Sequence, residues 1–235
     1  MAGIFYGVGV GPGDPSLLTL KAINVINEAD VIIAPKTEKK EDSLALTIAK
    51  PFLKKDVDVV KLVFPMVSDS ETLSEAWDAN KGIILDLLKK GKNVVFLTLG
   101  DPMFYSTYIY VYRLLENCGY PIETIPGVTA FCAIGSRLGY PLVEGDDVLS
   151  IIPATMEDAK LDKVLAASDN IVLMKVYKNF PQLLEKLEQH GLAEHAVMTS
   201  RCGLGDEQVV DNFNNIDKGY QPNYLSTIVS RRTRA

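Results

Sequence analysis

The sequence predicts an α/β chain made of two domains. Short apolar runs rich in β-branched residues alternate with longer stretches of helical period along the 235 residues. The apolar runs are continuous rather than alternating, which favours parallel strands covered on both faces. The pattern begins anew after the Pro126-Gly127 turn, so we expect domains at residues 1–125 and 126–235. A single large continuous sheet is the alternative.

Each predicted element is a run bounded by turn residues. In the first domain we expect strands at Ile4–Val10, Val31–Ala34, Val59–Val63, Val94–Leu99 and Tyr120–Ile125. The helices between them are predicted at Ser16–Glu28, Ser43–Phe52, Glu71–Lys90 and Ser106–Asn117. In the second domain we expect strands at Leu149–Ile152, Ile171–Val176, Ala196–Ser200 and Thr227–Ser230, with helices at Met156–Ala167 and Phe180–His190. Leu138–Asp147, rich in glycine, proline and aspartate, is predicted to be a loop.

The amino-acid composition indicates which kinds of molecule the protein can bind. The formal charge of -6 makes nucleic acid an unsuitable main partner, because phosphate binding requires a basic surface. The apolar runs are far shorter than the roughly 20 residues that span a bilayer, and the first residues lack a basic signal-peptide region. Three cysteines without CxxC spacing predict neither a disulfide framework nor a zinc site. We therefore expect a cytoplasmic protein that binds a small molecule, with no protein-bound metal and no membrane contact.

A glycine-rich loop, Gly7–Asp14, follows the first predicted strand. It fails the dinucleotide pattern G-x-G-x-x-G, because Pro12 or Asp14 stands where the third glycine is needed. Pro12 also lacks an amide N–H, and Asp14 would repel a phosphate. Glycines do let a flat ligand approach the backbone closely. The loop is therefore predicted either to approach such a ligand or to be a tight turn in which Asp14 or Ser16 caps the next helix.

Two further turns follow buried strands. Gly100-Asp101-Pro102 stands at the end of VVFLTL, where ligands bind in open parallel sheets, so we expect Asp101 to project a carboxylate over that crevice. Ser106 and Thr107 are predicted to cap the next helix or to contact a ligand. The alternative is an Asx-type turn with a helix cap. In PGVTAF (Pro126–Phe131), Thr129 is placed to cap a following helix.

These turns, in this order and spacing, resemble those of the tetrapyrrole methyltransferase family, whose members use S-adenosylmethionine (SAM). The matching stretches are VGVGPGDPSLLTLKA (Val8–Ala22), LTLGDPMFYST (Leu97–Thr107), PGVTAF and the later SRCG (Ser200–Gly203). The family is known for two α/β domains of the class III SAM methyltransferase type. The resemblance therefore implies this fold, a homodimer, and an active site with SAM in the interdomain cleft.

Other stretches are similar to one group within the family. These are Tyr105-Ser106-Thr107 with its aromatic sequel, LMKV at Leu173–Val176 and EGDD at Glu144–Asp147. That group methylates C-20 of precorrin-2 or of its cobalt form in cobalamin biosynthesis, so the implied substrate is a small acidic tetrapyrrole. Methylation of another ring position is one alternative. A non-catalytic protein that binds SAM or tetrapyrrole is the alternative from a different class.

The resemblance also implies which residues contact SAM. Carried over position by position, they are Pro12, Gly100, Asp101, Phe104, Ser106, Thr129, Ala130, Lys175, Val176 and Gly203. Lys175 stands where relatives often carry methionine, so Met174 or Val176 is the alternative contact at that strand end.

Methyl transfer from SAM needs no enzyme nucleophile, because the sulfonium already activates the methyl group. A general base would assist the loss of the ring hydrogen. Asp14, Asp101 and Tyr105 are the candidates near the turns, and we predict Asp14 and Tyr105 as catalytic residues. The two histidines, His190 and His195, are expected at the solvated surface.

Aromatic and basic residues are candidates for contact with the macrocycle. Tyr105, Tyr108 and Tyr112 recur at helical spacing and form either a core stripe or a wall for the ring. An acidic protein also needs local cations for an acidic substrate. The candidates are Lys36, Lys39, Lys40, Arg113, Lys178 and Arg201.

Overall fold

A computed structural model describes residues 2–36, 43–65, 70–213, 216 and 219–232. The chain divides into two compact units, Met1–Thr129 and Ala130–Ala235. This division falls just beyond the Pro126-Gly127 turn at which the sequence predicts the domain boundary. Each unit contains its own five-stranded sheet, so the predicted α/β class is confirmed and the single continuous sheet is wrong.

The N-terminal unit is a parallel sheet covered by helices on both faces. Its strands are β1 (Phe5–Gly9), β2 (Val31–Lys36), β3 (Asp58–Val63), β4 (Val94–Thr98) and β5 (Ile122–Ile125). Its helices are α1 (Leu20–Glu28), α2 (Leu44–Ala49), α3 (Ser70–Lys89) and α4 (Tyr108–Leu115). The strand order is β3-β2-β4-β1-β5, and every pairing is parallel. All five residues of β4 are buried, as a central strand with two covered faces requires.

Two predicted helices of this unit begin later than expected. The predicted Ser16–Glu28 helix is interrupted: Asp14 caps a short 3₁₀ turn at Pro15–Leu17, and Thr19 then caps α1 through Ala22 N–H at 3.1 Å. The helix α4 starts only at Tyr108. The prediction that Ser106 or Thr107 caps it is wrong, because the Ser106 hydroxyl donates to the Pro102 carbonyl and Thr107 makes no capping hydrogen bond.

Tyr108 is the central core residue between β1 and α4. Its ring is fully buried and packs against Phe5 with ring centroids 6.1 Å apart, and its hydroxyl lies 2.7 Å from Thr124 Oγ1. A Cβ added to Gly7 would lie closer to this ring than real Cβ atoms come to any neighbour. Gly7 is therefore explained by core packing. Tyr105 precedes α4 and is half-exposed, so the predicted tyrosine stripe does not extend to it.

The C-terminal unit has a mixed sheet. Its helices are α5 (Ala130–Leu138), α6 (Asp158–Ala167) and α7 (Phe180–Gln189). Its strands are β6 (Leu149–Pro153), β7 (Asn170–Met174), β8 (Val197–Ser200), β9 (Gln208–Val210) and β10 (Ser226–Arg231). The order is β6-β7-β10-β8-β9, with β6 and β7 parallel and the other pairs antiparallel. Because β10 runs against both β7 and β8, the strands β6, β7 and β8 point the same way.

The two histidines differ in environment. His195 is exposed, as predicted, and its carbonyl accepts a hydrogen bond from the Tyr140 hydroxyl at 2.7 Å. His190 is partly buried with Nε2 3.3 Å from Asp162 Oδ1, so the prediction of a solvated surface residue is wrong for it. Lys186 donates to the same carboxylate, and this hydrogen bond lowers the pKa of Asp162. The cluster joins α6 to α7 and is structural.

We predict that Gly7→Ala lowers the free energy of unfolding by about 1–3 kcal/mol, because the new methyl group overpacks the Tyr108 ring. Gly82→Ala is the matched control. Gly82 lies on the exposed side of α3 with open space around its missing Cβ, so alanine there should raise the free energy of unfolding by about 0.5–1 kcal/mol. Urea denaturation measures the free energy of unfolding of both variants. A Gly7→Ala protein as stable as the wild type would contradict the packing explanation.

Candidate functional site

Three turns meet at the carboxyl edge of the N-terminal sheet. They follow β4, β1 and β5, which are neighbours in that order. A Cβ on Gly9 would lie 2.6 Å from both Gly100 O and Gly127 N, and a Cβ on Gly127 would also overlap Gly100 O. No side chain fits at these two positions, so the three backbones touch directly. We call Gly9, Gly100 and Gly127 the glycine junction.

A short backbone bridge strengthens this junction. Gly11 and Gly100 exchange hydrogen bonds, with Gly11 N donating to Gly100 O at 3.3 Å and Gly100 N to Gly11 O at 2.8 Å. Both have positive φ, +75° and +71°, a conformation that strongly favours glycine. The first glycine loop and the GDP turn are therefore held as one unit, with buried Pro12 beside them.

Asp101 fastens the third turn to the other two. Its Oδ1 accepts from Met103 N at 2.8 Å, which is the Asx turn given as the alternative above. Its Oδ2 accepts from Gly127 N at 3.0 Å, across to the turn after β5. The expectation that this carboxylate projects over a crevice is wrong, because both oxygens bind backbone amides. Asp101 positions the junction.

The rest of the GDP turn is compact. Phe104 is partly buried and its ring packs edge-on against Tyr105 with centroids 4.8 Å apart. Tyr105 has φ +46°, a left-handed conformation that costs a non-glycine residue roughly 1–2 kcal/mol, and strain of this kind gathers at functional sites. Asp14, the other predicted catalytic residue, uses Oδ1 to accept from the amide and the hydroxyl of Ser16.

Two buried threonine hydroxyls beside the junction have no hydrogen-bond partner in the part of the chain that the structure describes. Thr129 Oγ1 is buried and makes no hydrogen bond among the described residues, so the prediction that Thr129 caps α5 is wrong. Thr98 Oγ1, at the last position of β4, is also buried and makes no hydrogen bond among the described residues. Thr98 pairs with Gly9 in the sheet register, which places it next to the junction. Buried hydroxyls are normally hydrogen-bonded, so both suit polar groups of a ligand. Sequence reasoning missed Thr98, although it is the polar end of an apolar strand.

The remaining predicted cofactor residues belong to the C-terminal unit. Ala130 is the first residue of α5. Lys175 directly follows β7, is exposed and has φ +59°. Val176 is fully buried in the core of the unit. Gly203 has φ +77° and follows β8. Lys175 and Gly203 therefore lie at one edge of the second sheet.

Neighbours of Gly203 form a polar cluster. Glu207 accepts from Gly203 N at 2.5 Å and from Arg137 Nε of α5 at 2.7 Å. Cys202 is buried beside it, and this burial raises the pKa of the thiol to about 11. Cys202 is therefore protonated near neutral pH and is unsuited to be a nucleophile.

The candidate cations divide by environment. Lys178 and Arg113 are exposed, whereas the Arg201 guanidinium pairs with Asp206 at 2.6 Å. Lys36 is partly buried at the end of β2, and Lys39 and Lys40 lie outside the described residues.

Among the described residues no group of three or more His, Cys, Asp or Glu side chains could hold a metal ion, and no helix is long and apolar enough to cross a membrane.

Comparison with known proteins identifies relatives of the whole chain. It is 36% identical over 231 residues to the cobalt-precorrin-2 C(20)-methyltransferase of Salmonella typhimurium, covering 97% of this chain and 96% of that protein. It is 35% identical over 207 residues to the precorrin-2 C(20)-methyltransferase of a Sinorhizobium species, covering 85% of this chain and 84% of that protein. It is 34% identical over 235 residues to the probable cobalt-precorrin-2 C(20)-methyltransferase of Methanocaldococcus jannaschii, covering 97% of this chain and 95% of that protein.

Solved structures share the fold. A cobalt precorrin-4 methyltransferase superposes with a TM-score of 0.74 at 23% identity, covering 97% of this chain and 94% of that one. A Thermus thermophilus uroporphyrin-III C-methyltransferase complexed with S-adenosyl homocysteine superposes with a TM-score of 0.70 at 22% sequence identity, covering 97% of each chain. The family model of tetrapyrrole (corrin/porphyrin) methylases matches residues 5–215. As its glycine loop and its GDP and PGVTAF turns predict, this chain belongs to the tetrapyrrole methylase family.

Proposed function

We propose that this chain is a SAM-dependent methyltransferase that methylates C-20 of precorrin-2, or of its cobalt complex, in cobalamin biosynthesis. The supporting observation is the relatedness to enzymes named for this reaction at 34–36% identity, over nearly the full length of the Salmonella and Methanocaldococcus proteins. The relatives named with and without cobalt are almost equally similar to it. Both acceptors are therefore candidates.

SAM is the proposed methyl donor. The Thermus relative is described as complexed with S-adenosyl homocysteine, the product that SAM leaves behind. The glycine junction offers close backbone approach, and the unpartnered hydroxyls of Thr98 and Thr129 suit the polar groups of SAM. In the C-terminal unit, the proposed contacts are Ala130, Lys175, Val176 and Gly203.

The proposed chemistry is a single displacement followed by loss of a proton. The ring carbon attacks the sulfonium methyl, a carbon–carbon bond forms as the sulfur–carbon bond breaks, and the ring hydrogen then leaves as a proton. Alignment of the two reactants can supply on the order of 7–11 kcal/mol in favourable cases. We propose that the protein contributes chiefly such alignment, because the glycine junction is built from mutually fixed backbones.

A general base would add roughly 10²–10⁴-fold. Of the two proposed groups, Asp14 already accepts two hydrogen bonds at Oδ1, whereas Tyr105 is 45% exposed beside the GDP turn. Asp14 and Tyr105 are both kept as proposals for the base.

We expect methyl transfer from methyl-labelled SAM to C-20, followed by mass spectrometry and by NMR of the labelled carbon. Metal-free precorrin-2 and its cobalt complex are offered in parallel. Label from only one of them identifies the acceptor. Label at another ring position would replace the C-20 assignment, and SAM binding without transfer to either acceptor would contradict the proposed reaction.

We expect Asp101→Ala to weaken SAM binding about tenfold or more, measured by calorimetry. Without the carboxylate, the turn after β5 is no longer fastened to the GDP turn, so the proposed SAM contacts lose their fixed positions. A tenfold loss of affinity corresponds to 1.4 kcal/mol. Asp58→Ala is the control, since Asp58 is an exposed carboxylate paired with Lys92 and should not affect SAM. Unchanged SAM affinity in a folded Asp101→Ala protein would refute the role of Asp101.

We also propose a homodimer, as the family resemblance implies. Ile83 on α3 and Tyr110 on α4 are large apolar side chains that are 41% and 50% exposed, which is consistent with a covered face. Sedimentation equilibrium should give about twice the chain mass of 25.8 kDa. A single species at the mass of one chain would exclude the dimer.

A further inference from the structure

One carboxylate of the C-terminal unit joins two elements that carry proposed SAM contacts. Glu207 ends the turn between β8 and β9, and its side chain is only 11% exposed. Its Oε2 accepts a hydrogen bond from Gly203 N of the same turn at 2.5 Å, and its Oε1 accepts one from Arg137 Nε of α5 at 2.7 Å. We call Glu207, Gly203 and Arg137 the glutamate link.

The turn from Arg201 to Glu207 is held together in two ways. Backbone hydrogen bonds close it, with Leu204 N donating to Arg201 O at 3.0 Å and Glu207 N donating to Leu204 O at 3.1 Å. Gly203 lies inside this turn with φ +77°, and its amide N–H is held by the Glu207 side chain. The carboxylate therefore fixes the one residue of the turn that is a proposed SAM contact.

The other end of the glutamate link lies on the face of α5 that begins with Ala130. Arg137 stands seven positions after Ala130, which is close to two helical turns and places both residues on one face, roughly 10 Å apart along the axis. Ala133 and Ile134 lie between them on this face and are buried, so packing holds the helix in place. Glu207 thus sets the position of the Gly203 turn relative to α5.

The charge and burial of Glu207 make this link strong. A hydrogen bond to an ionised group is roughly twice as strong as one between neutral groups, and low exposure to water strengthens it further. Burial, and after it the Glu207 charge, raise the pKa of the neighbouring Cys202 thiol to about 11. The ionisation of Cys202 therefore reports whether the carboxylate is present and in place.

We infer that Glu207 is a positioning residue for the methyl donor, which holds the Gly203 turn against α5 in the arrangement that both elements need to contact SAM. This inference rests on the proposed function for the contacts of Gly203 and Ala130. Both carboxylate oxygens accept hydrogen bonds within the protein, so Glu207 acts through the two elements that it joins. In the N-terminal unit Asp101 joins two turns in the same manner.

The test measures SAM binding to the full chain by calorimetry, which does not require methyl transfer. Glu207→Ala removes both hydrogen bonds and should weaken SAM binding about tenfold. Arg137→Ala frees the turn from α5 but leaves Gly203 its acceptor, so SAM binding should weaken about 3-fold. The double variant should bind SAM no more weakly than Glu207→Ala, because Arg137 acts through Glu207. Glu207→Gln keeps an acceptor oxygen for Gly203 N and should fall between the wild type and Glu207→Ala.

Two further measurements separate positioning from stability. With precorrin-2 or its cobalt complex as acceptor, Glu207→Ala should raise KM for SAM and leave KM for the tetrapyrrole unchanged. A role in stability alone would lower the free energy of unfolding without this split. Loss of the Glu207 charge should also lower the pKa of Cys202, so iodoacetamide should alkylate Cys202 faster at a given pH, as followed by mass spectrometry of its peptide.

The same turn supplies a matched control. Asp206 is 64% exposed and pairs with the Arg201 guanidinium at 2.6 Å, so Asp206→Ala removes a neighbouring carboxylate and should leave SAM affinity unchanged. Arg137 is 56% exposed, so Arg137→Ala is expected to fold and decides the question if Glu207→Ala does not.

Wild-type SAM affinity in folded Glu207→Ala and Arg137→Ala proteins would overturn the inference and leave the proposed function standing. An equal loss of SAM affinity in Asp206→Ala would overturn it as well. Weaker SAM binding in the Glu207 and Arg137 variants of a protein that methylates neither acceptor would support the glutamate link and reject the proposed reaction.

Discussion

Direct contact between three glycine backbones fixes the functional edge of the first sheet. A side chain at position 9 or 127 would force the turns after β1, β4 and β5 apart. Asp101 then joins the turn after β4 to the turn after β5, and the Gly11–Gly100 bridge joins the turn after β4 to the turn after β1. An edge held this way has little conformational freedom to lose when a ligand binds. The unpartnered hydroxyls of Thr98 and Thr129 stand beside this rigid frame.

Backbone strain marks the same kind of position in both units. Tyr105, Lys175 and Arg201 are non-glycine residues with positive φ. Lys175 and Arg201 directly follow β7 and β8, and Tyr105 lies in the GDP turn that follows β4. A penalty of roughly 1–2 kcal/mol at each position is appreciable against a typical domain stability of about 5–15 kcal/mol. Glycine at these positions would stabilise the backbone. The two sheets thus present strained, chemically active side chains at edges where open α/β sheets bind ligands.

The sequence predicted the fold, and the turns that meet at the edge of the first sheet, better than it predicted individual side-chain roles. Buried strands such as β4 are recognisable because a run of apolar residues needs cover on both faces. Local pattern could not reveal that Gly7 makes room for Tyr108, since those residues meet only through tertiary packing. Local pattern could not reveal the role of Asp101 either, because its Oδ2 accepts a hydrogen bond from Gly127 N, in a turn that follows a strand two positions away in the sheet. β9 was missed because three mostly exposed residues carry no periodic signal.

An acidic protein can bind an acidic substrate because electrostatic interactions at the surface are short-ranged. The Debye length is about 8 Å at physiological ionic strength. Asp169 and Lys175 lie at opposite ends of β7, and six residues of extended chain separate them by roughly 20 Å. A carboxylate at the Lys175 end is therefore largely screened from the acidic end. What such a ligand meets is the local set of charges. Lys175 and Lys178 follow β7, Asp158 lines one groove with Lys178, and Asp206 pairs with Arg201.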